Sequence, residues 1–344
     1  MEKISGNPAI IKKVNKDLIK ETLRKFPKST KPQLAQKVGL SLATVNKAVE
    51  ELEESGEARC LGYIDSTGGR RAKCYKLNEN FELILTVFIQ AGHYYCAVLN
   101  MDGKIISSKV HQHQEGSWTQ ELYGVIDEGL AGCDGEKVAS IGVAVPGSVN
   151  GDEISNIPTI PQWEGFALKA DLEKRYGMTV VVENDINTAT LGVHNKYTAT
   201  GAKNMLFLHI KQGIGAGVII NSRLHKGRHN FAGELAYMRL ASGAVGETLE
   251  DTLHRLHQDR GAVIKLVAEL IANVVCVIEP DLVAIDTCYL SEKDAGMLKQ
   301  VLSGYISSEY LPQIFIRPVQ DLTYIRGLFV LCMHKTQNSV ELYQ

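Results

Sequence analysis

The sequence predicts an α/β protein in which a small winged helix-turn-helix module precedes two similar α/β halves. Three observations carry this expectation. Charge is uneven: residues 1–80 hold 16 Lys/Arg against 10 Asp/Glu, a net of +6, whereas the rest holds 21 against 29, a net of −8. Closely spaced helical patterns give way to strands near residue 81. A strand–hairpin–strand unit then recurs roughly 120 residues apart. The expected organisation is the winged helix-turn-helix over 1–80, a first α/β lobe over 81–202 and a second over 203–344. A chain of 344 residues is long enough for two or three cores.

Within the first module, "NKDLIKETLRKF" (15–26) places Leu18, Ile19, Leu23 and Phe26 on one helical face. "TKPQLAQKVG" (30–39) opens with a capping-box pattern, Thr30 and Gln33, has Pro32 in its first turn and stops at Gly39. The next helix starts after Ser41, an N-cap residue, carries Val45, Val49 and Leu52 inward and ends at Gly56. Helix, short turn, helix is the arrangement in which the second helix enters the major groove of DNA. The residues expected to face DNA there are Ser41, Leu42, Ala43, Thr44, Asn46 and Lys47. Asn pairs bidentately with adenine, Lys reaches guanine or phosphate, and a Thr methyl meets a thymine methyl. "ARCLGYI" and "AKCYKLN" then alternate like strands around "DSTGGRR", forming a wing with Arg70 and Arg71 beside its Gly68-Gly69 tip.

In the body, "ELILTVFIQAG" (82–92) leads into "HYYCAVLN", and Asp102-Gly103 turns the chain into "KIISSKVHQH". A helix (119–132) and the strand "VASIGVAVPG" follow. "KNMLFLHIKQGIGAGVII" (203–220) turns at Asn221-Ser222 into another strand. Helices are expected at 249–279, 291–311 and 322–337, alternating with "DLVAID" and "IFIRPV". The longest apolar runs are too short to span a bilayer, and no secretion leader opens the chain. The seven cysteines are scattered without a CxxC pair, so reduced thiols in a cytoplasmic protein are expected, with no metal site.

Six segments in one order now carry a resemblance: "STGGRRAK", "IGVAVPGSVNG", "PQWEGFALKADLEKRYG", "VENDINTA", "KQGIGAGVIINSRLHKG" and "FAGELAYM". Together they resemble the repressor/open-reading-frame/kinase (ROK) family from about residue 15 onward. The resemblance implies a two-lobed actin-like, sugar-kinase-like fold behind the winged module. It implies either sugar kinase or sugar-responsive regulator activity, and does not choose between them.

Family kinases take the sugar-hydroxyl proton with the Asp of Glu-Asn-Asp, which Asp185 matches, while Asn184 matches the sugar contact. Asp185 is equally explained as a cap on the helix starting at Ile186. The family's first phosphate loop, Asp-x-Gly-Gly-Thr, is replaced by Gln90-Ala91-Gly92-His93-Tyr94, which lacks the acidic residue and adds bulk. Gly213, Gly215 and Gly217 keep the second glycine loop, but a strand pair also needs glycines for backbone geometry. Thr287-Cys288 stands where the family has a nucleotide-contacting Gly-Gly pair. Glu234 matches the sugar-contacting Glu of Glu-x-Gly-His, whereas Ala236 and Tyr237 replace the Gly and the zinc-binding His. "RLASGAVGETLED" contains none of the family's zinc cysteines, and Glu250 is aligned with the acidic residue that follows them. Gly147, Asn184, Asp185, Glu234, Tyr237 and Glu250 are the residues expected to line a ligand cleft.

The reading is a DNA-binding transcriptional regulator of repressor type, with no cofactor and no kinase activity. Its partners are a double-stranded DNA operator and a second copy of itself. The body either senses a small carbohydrate ligand or serves only as a scaffold. The rival reading is an active ATP-dependent sugar kinase with a DNA-binding arm.

Overall fold

The computed structural model describes residues 8–64, 71–90, 92–114, 116–133, 135–211 and 213–337. The first module comprises α1 (Pro8–Lys25), β1 (Ser29–Thr30), α2 (Lys31–Val38), α3 (Leu42–Glu54), β2 (Ala58–Ile64) and β3 (Ala72–Leu77). Its local signals work as read. Thr30 Oγ1 accepts from Gln33 N at 3.4 Å while Gln33 Oε1 accepts from Thr30 N at 2.9 Å, so two orphan donors are satisfied reciprocally. Gly39 closes α2 at φ +69°, where a Cβ would be strained. Ile19, Leu23, Leu34, Val45, Val49 and Leu52 form the core. Two residues assigned to that face are outside it: Leu18 is 37% and Phe26 46% exposed. The helix starts at Pro8 rather than 15, and its buried stripe is the narrower pair Ile19/Leu23. Phe26 lies past its end, under the Lys37 ammonium at 3.6 Å.

The first lobe contains β4 (Leu83–Gln90), β5 (His93–Asn100), β6 (Ile105–Gln112), α4 (Trp118–Ala131), β7 (Val138–Val145), β8 (Ser148–Asn150), β9 (Glu153–Ser155), α5 (Leu168–Tyr176), β10 (Thr179–Asn184) and α6 (Asp185–Tyr197). The second contains β11 (Met205–Ile210), β12 (Ile214–Ile220), β13 (Arg223–His225), α7 (Leu249–Leu256), α8 (Arg260–Ile278), β14 (Leu282–Thr287), α9 (Ala295–Leu302), β15 (Gln313–Ile316) and α10 (Asp321–Gln337). Each lobe has a five-stranded sheet, ordered β10-β7-β4-β5-β6 and β15-β14-β11-β12-β13. In both, an antiparallel three-strand meander is extended by two parallel strands added to the edge of its first strand. The expected internal repeat is therefore present strand for strand.

The packing is layered. The outer face of the first sheet packs on α4 and α5, that of the second on α7, α8 and α9, and α6 and α10 lie between the two sheets. The α6–α10 crossing is close. A Cβ on Gly192 would lie 2.0 Å from the Thr323 carbonyl oxygen, and one on Gly327 would lie 1.9 Å from that of Thr188.

Several boundaries differ from the sequence expectation. Residues 203–220 are two antiparallel strands rather than one, because the chain reverses between Ile210 and Ile214. The segment 249–279 is two helices, since Asp259 caps a new one at Arg260. The helix expected over 291–311 is only Ala295–Leu302. Asn221 and Ser222 both adopt positive φ, 52° and 63°, as the expected hairpin turn demands. By length and composition alone α8, with 19 residues and a mean hydropathy of 2.2, is long and apolar enough to cross a bilayer, a test that a buried core helix also passes. This corrects the expectation that no run is long enough, which considered only unbroken apolar strings. In the fold Val263, Ile264, Val267, Leu270 and Ile271 of α8 are packed into the second-lobe core.

Candidate DNA interface and inter-lobe cleft

In the first module, Ser41 is the N-cap of α3, its Oγ accepting from Thr44 N at 3.2 Å and lying 2.8 Å from Thr44 Oγ1. Those two hydroxyls satisfy each other, leaving the Thr44 methyl for outside contact. Leu42, Ala43 and Lys47 are exposed and Asn46 is half-buried. Many basic groups of the module are spent internally: Lys12 and Lys16 on Glu51, Lys20 on Glu57, and Arg59 and Lys76 on Glu79. Lys47 has no carboxylate partner among the described residues, so its charge on the face of α3 is uncompensated there. Arg71 is exposed at the start of β3. Arg70 and the Gly68-Gly69 tip lie outside the described residues.

The cleft is built where β10 runs into α6. Asn184, not Asp185, is the N-cap: its Oδ1 accepts from Asn187 N at 3.0 Å, and Asp185 is already the first helical residue. This corrects the expectation that Asp185 caps a helix starting at Ile186. Asp185 Oδ1 accepts from Ile186 N at 2.8 Å and from Asn184 Nδ2 at 3.1 Å. Burial pushes its carboxyl up to about 6, against these hydrogen bonds and the nearby His209.

Asn184 Nδ2 also donates to the Gly147 carbonyl at 3.0 Å. Gly147 is required by packing, since a Cβ would lie 2.8 Å from Ile157 Cβ. Asn184 and Glu234 line one small cavity, together with Ser148, Asn187, Gly215 and Asn230. It encloses only about 50 Å³, whereas a ring as small as benzene occupies a cavity of about 150 Å³. Two cross-lobe contacts hold it shut: Lys226 with the buried Glu183, and Asn230 Nδ2 donating to the Val149 carbonyl at 2.8 Å. Burial raises the Glu234 carboxyl above its usual range.

Four of the six expected ligand residues are not in that lining: Gly147 and Asp185 adjoin it through their hydrogen bonds to Asn184, while Tyr237 and Glu250 lie elsewhere. Tyr237 is 61% exposed and packs on Phe231, ring centroids 5.6 Å apart. Glu250 sits in the first turn of α7, 3.3 Å from where a Gly213 Cβ would be. The short 3-10 turn Leu235–Tyr237 directs Tyr237 outward, and α7 faces Glu250 toward the β11–β12 turn. The segment 237–250 does not fit the zinc that the family resemblance implies. Its acidic Glu247 is committed to Arg255 Nη2 at 2.8 Å and to Ala244 N at 2.9 Å, and Tyr237 faces away.

At the β4–β5 turn, Gln90 is exposed and Tyr94 is fully buried, its hydroxyl donating to the Trp118 carbonyl at 3.2 Å. Tyr94 therefore does not crowd the loop mouth as expected; strand alternation turns it into the first-lobe core. The β11–β12 turn holds what the sequence reading missed. Asp286, 0% exposed at the end of β14, accepts from His209 Nδ1 at 2.8 Å, Lys211 Nζ at 3.0 Å and Val319 N at 3.0 Å. Burial opposes ionisation, but these donors hold its carboxyl below the usual range. The i, i+2 spacing of His209 and Lys211 beside the glycines was the available signal, and nothing in sequence paired them with Asp286. Gly217 has a packing role, since a Cβ would fall 1.8 Å from Thr190 Oγ1 on α6.

This fold and site define a class: a winged helix-turn-helix joined to a two-lobed protein of sugar-kinase architecture. Residues 87–248 match the ROK family and residues 19–56 match the winged helix-turn-helix DNA-binding family. The chain thus carries a ROK-family domain behind a DNA-binding winged helix-turn-helix. A relative from Caldicellulosiruptor sp. (strain Rt8B.4) is 28% identical over 311 residues, covering 86% of this chain and 75% of its own. The xylose repressor of Bacillus subtilis (strain 168) is 26% identical over 242 residues, covering 68% of this chain, and the match spans 62% of that relative's length. Among solved structures, a ROK family transcriptional regulator homologous to the E. coli MLC protein superposes with a TM-score of 0.74 at 17% identity, covering 95% of this chain and 98% of its own. A ROK hexokinase from Thermus thermophilus gives 0.63 at 21%, covering 75% and 100%. At these identities the structures establish the fold alone.

Proposed function

We propose that the protein is a ROK-type transcriptional repressor that binds operator DNA through α3 and the wing, with a body that no longer transfers phosphate. The observation that carries the reading is the exposed face of α3, where Asn46 and the uncompensated Lys47 follow a fully capped helix start. The names of the xylose repressor and of the ROK regulator structure support it. The Thr44 methyl would meet a thymine methyl, and Ser41 would lie beside the backbone. The wing arginines Arg70 and Arg71 would reach a narrow minor groove or the phosphates, and a dimer would place two recognition helices on a near-palindromic site.

Loss of kinase chemistry is supported by the turn at Lys211. A phosphoryl-transfer site is almost entirely positioning and electrostatics. Here the second-lobe turn is occupied by the Lys211–Asp286 pair, and the first-lobe turn offers the neutral Gln90. Asp185 keeps the position of a base with no partner loop to supply phosphate. A carbohydrate effector would enter by separating the lobes at Lys226–Glu183 and Asn230–Val149, so that it binds the open and closed arrangements unequally.

The test is selection of binding sites from random DNA, followed by titration at fixed salt. Asn46→Ala should cost about 1–3 kcal/mol on the selected site, and Lys47→Ala should lower the salt slope by about one. Unchanged affinity in both variants would remove the α3 assignment. Turnover of any hexose or pentose with ATP that disappears in Asp185→Asn would remove the inactive-body reading.

A further inference from the structure

A second cavity lies away from the cleft, where α6, α10 and the β14–β15 edge meet, and it encloses about 160 Å³. An engineered cavity of about 150 Å³ holds a benzene ring, so the space suits one ring-sized body. Its floor is apolar: Phe207, Ala284 and Phe315, with Tyr197 stacked on Phe315 at 4.9 Å between centroids.

The rim is cationic. Lys196, Arg317 and Arg326 all line it, and no Asp or Glu does. Arg317 Nη2 donates to Glu292 at 2.7 Å, so its charge is partly matched. Lys196 lies over the Tyr197 ring, 5.8 Å from its centroid, and neither it nor Arg326 has a carboxylate partner among the described residues. Asp321, the first residue of α10, is not part of the lining. Three cations thus gather on a body whose net charge is −8. Such a cluster over an aromatic floor fits an anion carried on a ring.

The cavity also sits on a mechanical connection. Thr323 and Gly192, both in its lining, are the residues at the tight α6–α10 crossing, so the two helices have no slack there. One turn further along α10, Phe329, Met333 and His334 line a space shared with Met101, Asp102 and Arg24 of α1. A single rigid helix therefore runs from the cavity to the DNA-binding module.

We propose that this hinge cavity is a binding site for a small organic phosphate or carboxylate with a ring-sized body, separate from the carbohydrate cleft. Its occupancy is carried along α10 to α1. The proposal stands independently of whether the cleft binds a sugar.

The experiment uses the full chain at constant ionic strength, with phenyl phosphate, benzoate and inorganic phosphate as probes and benzyl alcohol as the neutral control. Calorimetric titration should give saturable binding of phenyl phosphate or benzoate, weaker binding of inorganic phosphate and none of the alcohol. Lys196→Gln/Arg326→Gln should weaken binding about tenfold or more, with Arg326→Gln alone intermediate. Hydrogen exchange with phenyl phosphate or benzoate bound should slow in α10 and in α1 around Arg24. No saturable binding of either ring anion, equal binding of the alcohol, or undiminished binding in the double variant overturns the site. Binding without any change in exchange at α1 overturns the coupling.

Discussion

The β4–β5 and β11–β12 turns occupy the same place in two sheets of the same strand order, yet they are closed by different physics. The first is closed by packing near in sequence: Tyr94 lies buried under Trp118, and His113 stacks on the same indole at 3.7 Å while its Nδ1 lies 2.7 Å from Glu121. The second is closed by charge from far away, with Asp286 holding both His209 and Lys211 across 75 to 77 residues of chain. Tyr289 adds a hydrogen bond to the Lys211 carbonyl at 2.8 Å. One turn fails gradually if its cover is trimmed. The other fails abruptly if its single carboxylate is removed, because His209 and Lys211 lose the buried partner they share.

Asp286→Asn should show the largest effect. Denaturant unfolding at pH 7 should give a loss of about 3 kcal/mol, in the range for breaking one side of a buried pair. The Asp286 carboxyl is held below its ordinary value in the fold, so its contribution is present above the unfolded value and is lost as pH falls through the folded one. The gap between variant and parent should therefore narrow below about pH 4. A constant gap across that range would show that packing, not charge, closes the turn.

Asp185→Asn should act in the opposite direction. Its carboxyl is raised to about 6 by burial, so the fold holds a proton that the unfolded chain releases near its ordinary value. Stability then falls as pH rises from about 4 to about 6, and the cost persists above that. The variant should be more stable than the parent by about 1–3 kcal/mol at pH 7.5 and equal to it near pH 4. A destabilised variant at pH 7.5 would mean that the carboxylate is compensated by His209.

Tyr94→Phe should have the smallest effect, about 0.5–1.5 kcal/mol for one hydrogen bond with the ring retained. A loss as large as that of Asp286→Asn would erase the contrast between the two turns.

Legibility followed the range of the interaction. Thr30, Gln33, Gly39 and Ser41 were readable because a cap is settled within four residues, and the structure shows each in its expected place. Asn221-Ser222 was readable for the same reason. The duplicated strand order was foreseen from the recurrence of one hairpin unit. The glycines were visible but their purpose was not. Gly217 reads as part of a phosphate loop, and only the approach of Thr190 on α6 reveals a packing requirement. Tyr237 and Glu250 looked like cleft residues until a 3-10 turn and the start of α7 directed them elsewhere.

By itself the sequence determined the winged helix-turn-helix, the two similar α/β halves and the change in the first turn, since periodicity, caps and residue type are local properties. Only the tertiary structure decided that Asp286 ties Lys211, that the cleft is shut, and that α10 links the hinge cavity to α1. Each of those depends on which distant side chains share a few ångströms of space, and a chain acquires that property only once its sheets and helices have packed.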